Sequence, residues 1–86
     1  MAAYRVVLTP AADRQLAKLP RPAREMVAAA IVTLATNPRP PGVVKLAGAV
    51  DLWRIRLREY RVVYTIVSAD LIVTVVKICN RKDVYR

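Results

Sequence analysis

The sequence predicts one α+β domain over residues 1–86, with an N-terminal strand and a helical hairpin packed on a twisted, mainly antiparallel four-stranded sheet. Three observations carry this. Residues 52–57, Leu-Trp-Arg-Ile-Arg-Leu, alternate large apolar and basic side chains, the period-two pattern of a strand with one buried face. Residues 71–79 form a β-branched run with few polar breaks, which reads as a central strand buried on both faces. Between them in character, residues 9–36 carry apolar positions at helical spacing, interrupted by prolines.

In chain order, residues 4–9 (Tyr-Arg-Val-Val-Leu-Thr) are a short β-type run. Thr9-Pro10 then opens a helix, with Thr as N-cap and Pro at the first helical position. Asp13 in its first turn suits the helix dipole. Ala12, Leu16 and Leu19 share one face. Pro20 and Pro22 end this helix, and Pro22 can open the next. Residues 23–36 read as an Ala-rich helix with Val27, Ala30, Ile31 and Leu34 on its apolar face. Asn37-Pro38-Arg39-Pro40-Pro41-Gly42 stops it and makes a stiff connection. Residues 43–49 are read as a loop approach. The arginine-bearing strand follows, then a tight reversal near Glu59, a strand over residues 61–67, a second short turn at Ser68-Ala69-Asp70, and the apolar run. Short connections make these last three strands an antiparallel meander. The helices bury their apolar faces on one side of it, so Arg54 and Arg56 are expected on the other, open side. Trp53 and Tyr64 fall at core positions. Tyr60 is ambiguous, and Lys77 could snorkel to the arginines or to solvent.

The composition narrows the function. Net charge is +9, from eleven arginines and four lysines against six acids. A small domain this basic meets a polyanion or carries a merely solvated basic surface; the preponderance of Arg, suited to bidentate phosphate contact, favours the polyanion. There is one cysteine, Cys79, and no histidine. This removes a disulfide framework, a zinc site and any His-dependent triad, and no metal or other cofactor is expected. Neither a secretory signal nor an unbroken apolar span is visible, so a cytoplasmic protein without a membrane partner is expected.

Same-face arginines on a strand lie roughly 7 Å apart, a spacing that grips successive phosphates. Arg54, Arg56, Arg61 and Arg81 or Lys82 could converge, with Tyr85 near them in sequence. Grouped carboxylates for Mg²⁺ are absent. RNA supplies its own nucleophile, the 2′-hydroxyl, so a protein that bends the backbone in line and stabilises phosphorane charge promotes cleavage. Arginine is a poor general base. A lysine or Tyr85 would suit that role better, and the base stays unassigned.

Taken together, Leu8-Thr9-Pro10-Ala11-Ala12, Leu16-Ala17-Lys18-Leu19-Pro20, Asn37-Pro38-Arg39-Pro40, Lys45-Leu46-Ala47-Gly48, Leu52-Trp53-Arg54-Ile55-Arg56, Tyr60-Arg61-Val62-Val63-Tyr64 and Asn80-Arg81-Lys82-Asp83-Val84-Tyr85 resemble the RelE/ParE superfamily of toxins from type II toxin–antitoxin modules. The resemblance implies a RelE-like fold, akin to microbial ribonucleases. It implies a metal-independent endoribonuclease (an mRNA interferase) that cuts message on the ribosome and blocks translation. By likeness, Arg61 and Arg81 hold the scissile phosphate and stabilise the transition state, and Tyr85 stacks on or orients the substrate. Arg54 and Arg56 bind backbone or serve in proton transfer, and Lys45, Arg58 and Lys82 add substrate contacts. Asn80 stands where many relatives have a histidine. The partners implied are a cognate antitoxin, ribosome and mRNA, and operator DNA through the toxin–antitoxin complex. ParE-type members offer the alternative: inhibition of DNA gyrase without RNA cleavage.

Overall fold

A computed structural model describes residues 3–46, 48 and 51–81. The elements are β1 (Arg5–Leu8), α1 (Pro10–Ala17), α2 (Arg21–Thr33), β2 (Val44–Lys45), β3 (Leu52–Leu57), β4 (Tyr60–Val67) and β5 (Ile72–Asn80). They form one sheet in the order β1-β5-β4-β3-β2, with the helices on one face. The α+β class and the antiparallel β3-β4-β5 meander are as expected. The sheet has five strands rather than four because Val44 and Lys45 pair with Arg54 and Trp53. Two residues are too few to show a period, so this strand has no signature of its own. β1 runs parallel to β5, which therefore sits inside the sheet.

The core joins Ala12, Val27, Ile31 and Leu34 of the helical layer to Ile55, Val62, Tyr64, Ile66, Val73, Val75 and Ile78 of the strands. Each large side chain so buried contributes about 1.5–3 kcal/mol. Helix α2 ends at Thr33, earlier than its periodicity suggests, and a turn over residues 34–36 lets Ala35 O accept from Tyr4 N at 2.7 Å. Leu71, expected inside the last strand, instead turns the chain with φ +54 after the short 3-10 turn Ser68–Asp70. No helix among the described residues is long and apolar enough to cross a membrane.

One irregularity decides what faces what. Val63 pairs with Lys77, but Tyr64 pairs with Val75, leaving Val76 as an extra residue in β5. Strict alternation would put Val75, Lys77 and Cys79 on one face. The bulge breaks that phase, so Val75 and Ile78 face the core while Lys77 and Cys79 lie on the opposite face. Helix α1 satisfies the irregular backbone. Thr9 Oγ1 donates to Val76 O at 3.4 Å and accepts from Ala12 N at 3.1 Å, while Gln15 Oε1 accepts from Ile78 N at 2.7 Å. Thr9 is thus both N-cap and bulge anchor. Thr9→Val keeps the shape and removes both bonds. We expect it to cost about 1–2 kcal/mol in urea unfolding; a loss below ~0.3 kcal/mol would show that the cap and the bulge stand without it.

Candidate nucleic-acid interface

Opposed residues of an antiparallel pair share a face. The register therefore draws two rows across the side away from the helices: Val44-Arg54-Val63-Lys77 and Arg56-Arg61-Cys79. Arg56 and Arg61 are direct cross-strand partners. Like charges so placed are destabilising, and an arrangement that keeps them is suited to a polyanion lying across both. Lys77 on the adjacent row adds a further cation, which the sequence left between site and solvent. Its one visible signal was a lone lysine in a β-branched run.

This face is not open at its centre. Arg61 is 3 % exposed, Val63 9 % and Cys79 8 %. The Cys79 side chain is buried in this row. Arg56 is exposed and Arg54 half-buried. The Arg61 guanidinium is oriented from below, its Nη1 donating to Tyr60 O at 3.3 Å and to Arg58 O at 3.5 Å. Its neighbours shield it from solvent.

The β3–β4 connection brings further cations to the same end. Arg58 and Glu59 form a two-residue turn between the paired Leu57 and Tyr60. Arg58 takes φ +58, a conformation costing a non-glycine residue of order 1–2 kcal/mol, and such strain clusters at functional sites. Arg81 N donates to Glu59 O at 2.6 Å, tying the chain just beyond β5 to this turn. Arg54, Arg56, Arg58, Arg61 and Arg81 therefore belong to one end of the β3-β4-β5 meander. Lys45 does not join them. It pairs with Trp53, on the other face, where its Nζ makes an ion pair with Asp51 at 3.4 Å and lies 5.7 Å from the Trp53 ring centroid. Arg39 lies 4.9 Å from the same centroid. Lys82 and Tyr85 lie outside the described residues.

A groove of about 480 Å³ lies beside β3, lined by Ala30 and Thr33 of α2, Pro40 and Pro41, and residues 54–57 of the strand. Among the described residues no three of His, Cys, Asp and Glu come together. The face can bind and orient phosphates and stabilise added negative charge.

Fold and face together define a class, a small basic α+β domain built like the RelE toxins. The archaeal RelE–RelB complex from Pyrococcus horikoshii OT3 is similar at 29% identity and a TM-score of 0.83, covering 93% of this chain and 97% of that one. The toxin–antitoxin complex RelBE2 from Mycobacterium tuberculosis is similar at 27% identity and a TM-score of 0.81, over 96% and 97%. The intact E. coli RelBE complex gives 29%, 0.79, and 91% and 96%. No curated protein matches the sequence. The model of the ParE toxin of the type II toxin–antitoxin system, parDE, matches residues 6–85. The chain belongs to this family and is a toxin of the RelE/ParE superfamily.

Proposed function

We propose that this toxin is a RelE-type mRNA endoribonuclease that acts in the cytoplasm on ribosome-bound message and so inhibits translation. The observation that supports it best is the pairing of Arg56 with Arg61, with Arg81 tied to the same turn. In this reading the RNA 2′-hydroxyl attacks the adjacent phosphorus, the 5′-oxygen leaves, and a 2′,3′-cyclic phosphate forms. Arg61 and Arg81 hold the non-bridging oxygens as charge builds on the phosphorane. Arg54 and Arg56 bind flanking backbone, Arg58 and Lys82 add substrate contacts, and Tyr85 stacks on or orients the scissile nucleotide. The residues named require no metal, because neither nucleophile nor charge stabilisation depends on one. Lys77 joins Tyr85 as a candidate for moving the proton.

A cognate antitoxin is the expected protein partner, since the similar structures include toxin–antitoxin complexes. An acidic, amphipathic segment of it would cover the basic face, with the groove along β3 offering apolar contact. Operator DNA would be met only through that complex. The second reading, a ParE-type gyrase inhibitor without nuclease activity, is favoured by the matching family.

Induced expression separates the two. We expect new mRNA 5′ ends inside translated codons within minutes, absent from untranslated message. Intact message with SOS induction and gyrase-linked DNA breaks would replace the nuclease reading with the gyrase one.

A further inference from the structure

A second groove, also about 480 Å³, opens where the α1–α2 connection meets the β3–β4 turn. Pro22, Ala23 and Met26 form one wall, and Arg58, Glu59 and Tyr60 the other. Met26 and Tyr60 are half-buried and pack against the core, so the apolar surface they present is held by the fold. The turn that lines this groove also holds the arginines of the opposite face, since Arg61 Nη1 bonds the carbonyls of Arg58 and Tyr60 and Arg81 N bonds that of Glu59. Only the Arg58-Glu59 turn separates the groove from Arg61 and Arg81, so a strand crossing that turn would reach both.

The side chains favour a base over a phosphate. Tyr60 offers an aromatic surface and Arg58 a planar cation, the two groups on which unstacked RNA bases are commonly held. Glu59 is exposed and makes no ion pair among the described residues, although Arg58 is its neighbour. A carboxylate repels phosphate but accepts a hydrogen bond from an exocyclic amine, the contact that distinguishes cytosine N4 from uracil O4. We infer that this groove is a flanking-base subsite that takes an unpaired nucleobase, with Glu59 selecting a base that presents an amine. The inference rests on the ribonuclease reading above.

The protein has two methionines, Met1 and Met26, so methyl labelling gives a reporter inside the groove, and Val63 methyls report on the arginine face. The probe is a five-nucleotide single-stranded RNA, made uncleavable by 2′-deoxy substitution and added at millimolar concentration. The expected result is a shift of both reporters, with Ala23→Leu, which fills the groove, removing the Met26 shift and keeping that of Val63. Exchanging the flanking cytosine for uracil should weaken binding about tenfold in the wild type and less than twofold in Glu59→Ala. If RNA moves Val63 but not Met26, the subsite is wrong while RNA binding stands. If it moves neither, the subsite is overturned, and the ribonuclease reading is judged separately by the mRNA 5′ ends. If an acidic peptide moves Met26 where RNA does not, the groove is a protein-docking surface and the subsite is overturned.

Discussion

Arg61→Ala is expected to lower mRNA cleavage by about 10²–10³-fold, the usual loss when one preorganised donor to a developing oxyanion is removed. Arg61 is held by the carbonyls of Arg58 and Tyr60 and by its burial. In the proposed ribonuclease reading, little orientation is then left to lose when substrate arrives, which would concentrate its contribution in the transition state. Arg61→Lys keeps the charge and loses the planar fork, and should recover only a small part of the rate. A purely structural arginine would behave otherwise: activity would track thermal stability across both variants, and the loss would vanish well below the melting temperature. Single-turnover cleavage on programmed ribosomes, read beside melting curves, tells the two apart. Persistent antitoxin binding by Arg61→Lys would show that its surface is intact.

Tyr64 should give the largest stability effect. It is fully buried among core residues, and its hydroxyl donates to Pro38 O at 2.7 Å. That bond fastens the stiff connection after α2 to the middle of the sheet. Tyr64→Ala is expected to cost about 3–5 kcal/mol, close to the whole stability of a small domain. Tyr64→Phe leaves the packing and strands the Pro38 carbonyl, at about 1–3 kcal/mol. The pH dependence has a definite sign. Burial pushes the Tyr64 phenol up from 10.0 to about 12, against a smaller lowering by Arg39. The unfolded chain therefore loses this proton first. The contribution is fully present below pH 10 and is lost as pH rises from 10 through 12, to a limit of roughly 2–3 kcal/mol. Urea unfolding from pH 8 to 11.5 should show the wild type declining more steeply than Tyr64→Phe. Parallel curves would mean that the phenol is as ionisable in the fold as out of it.

The chain's local patterns already contained much of this. Alternation over residues 52–57 assigns Trp53, Ile55 and Leu57 to one face and Arg54 and Arg56 to the other, because a strand places successive side chains on opposite sides. Thr9-Pro10 marks the start of α1 because those two residues satisfy and pre-form a helix N-terminus. The lack of histidine excludes histidine-based catalysis from composition alone.

Tertiary structure decided what depends on partners distant in sequence. Which residue stands opposite Arg56 is a matter of register, set by the Arg58-Glu59 turn, and Arg58 is not a residue that announces a positive φ. The bulge at Val76 is accommodated by Thr9 and Gln15 from another element, so no pattern within β5 could reveal that Lys77 joins the arginine side. Lys45 looked like one more cation beside the arginines, yet its pairing with Trp53 turns it to the opposite face. By itself the sequence determined the chemistry on offer, arginines without histidine on a half-buried strand. Only the assembled sheet decided which of those arginines meet, because hydrogen-bond register and bulge phase are set between strands and not within them.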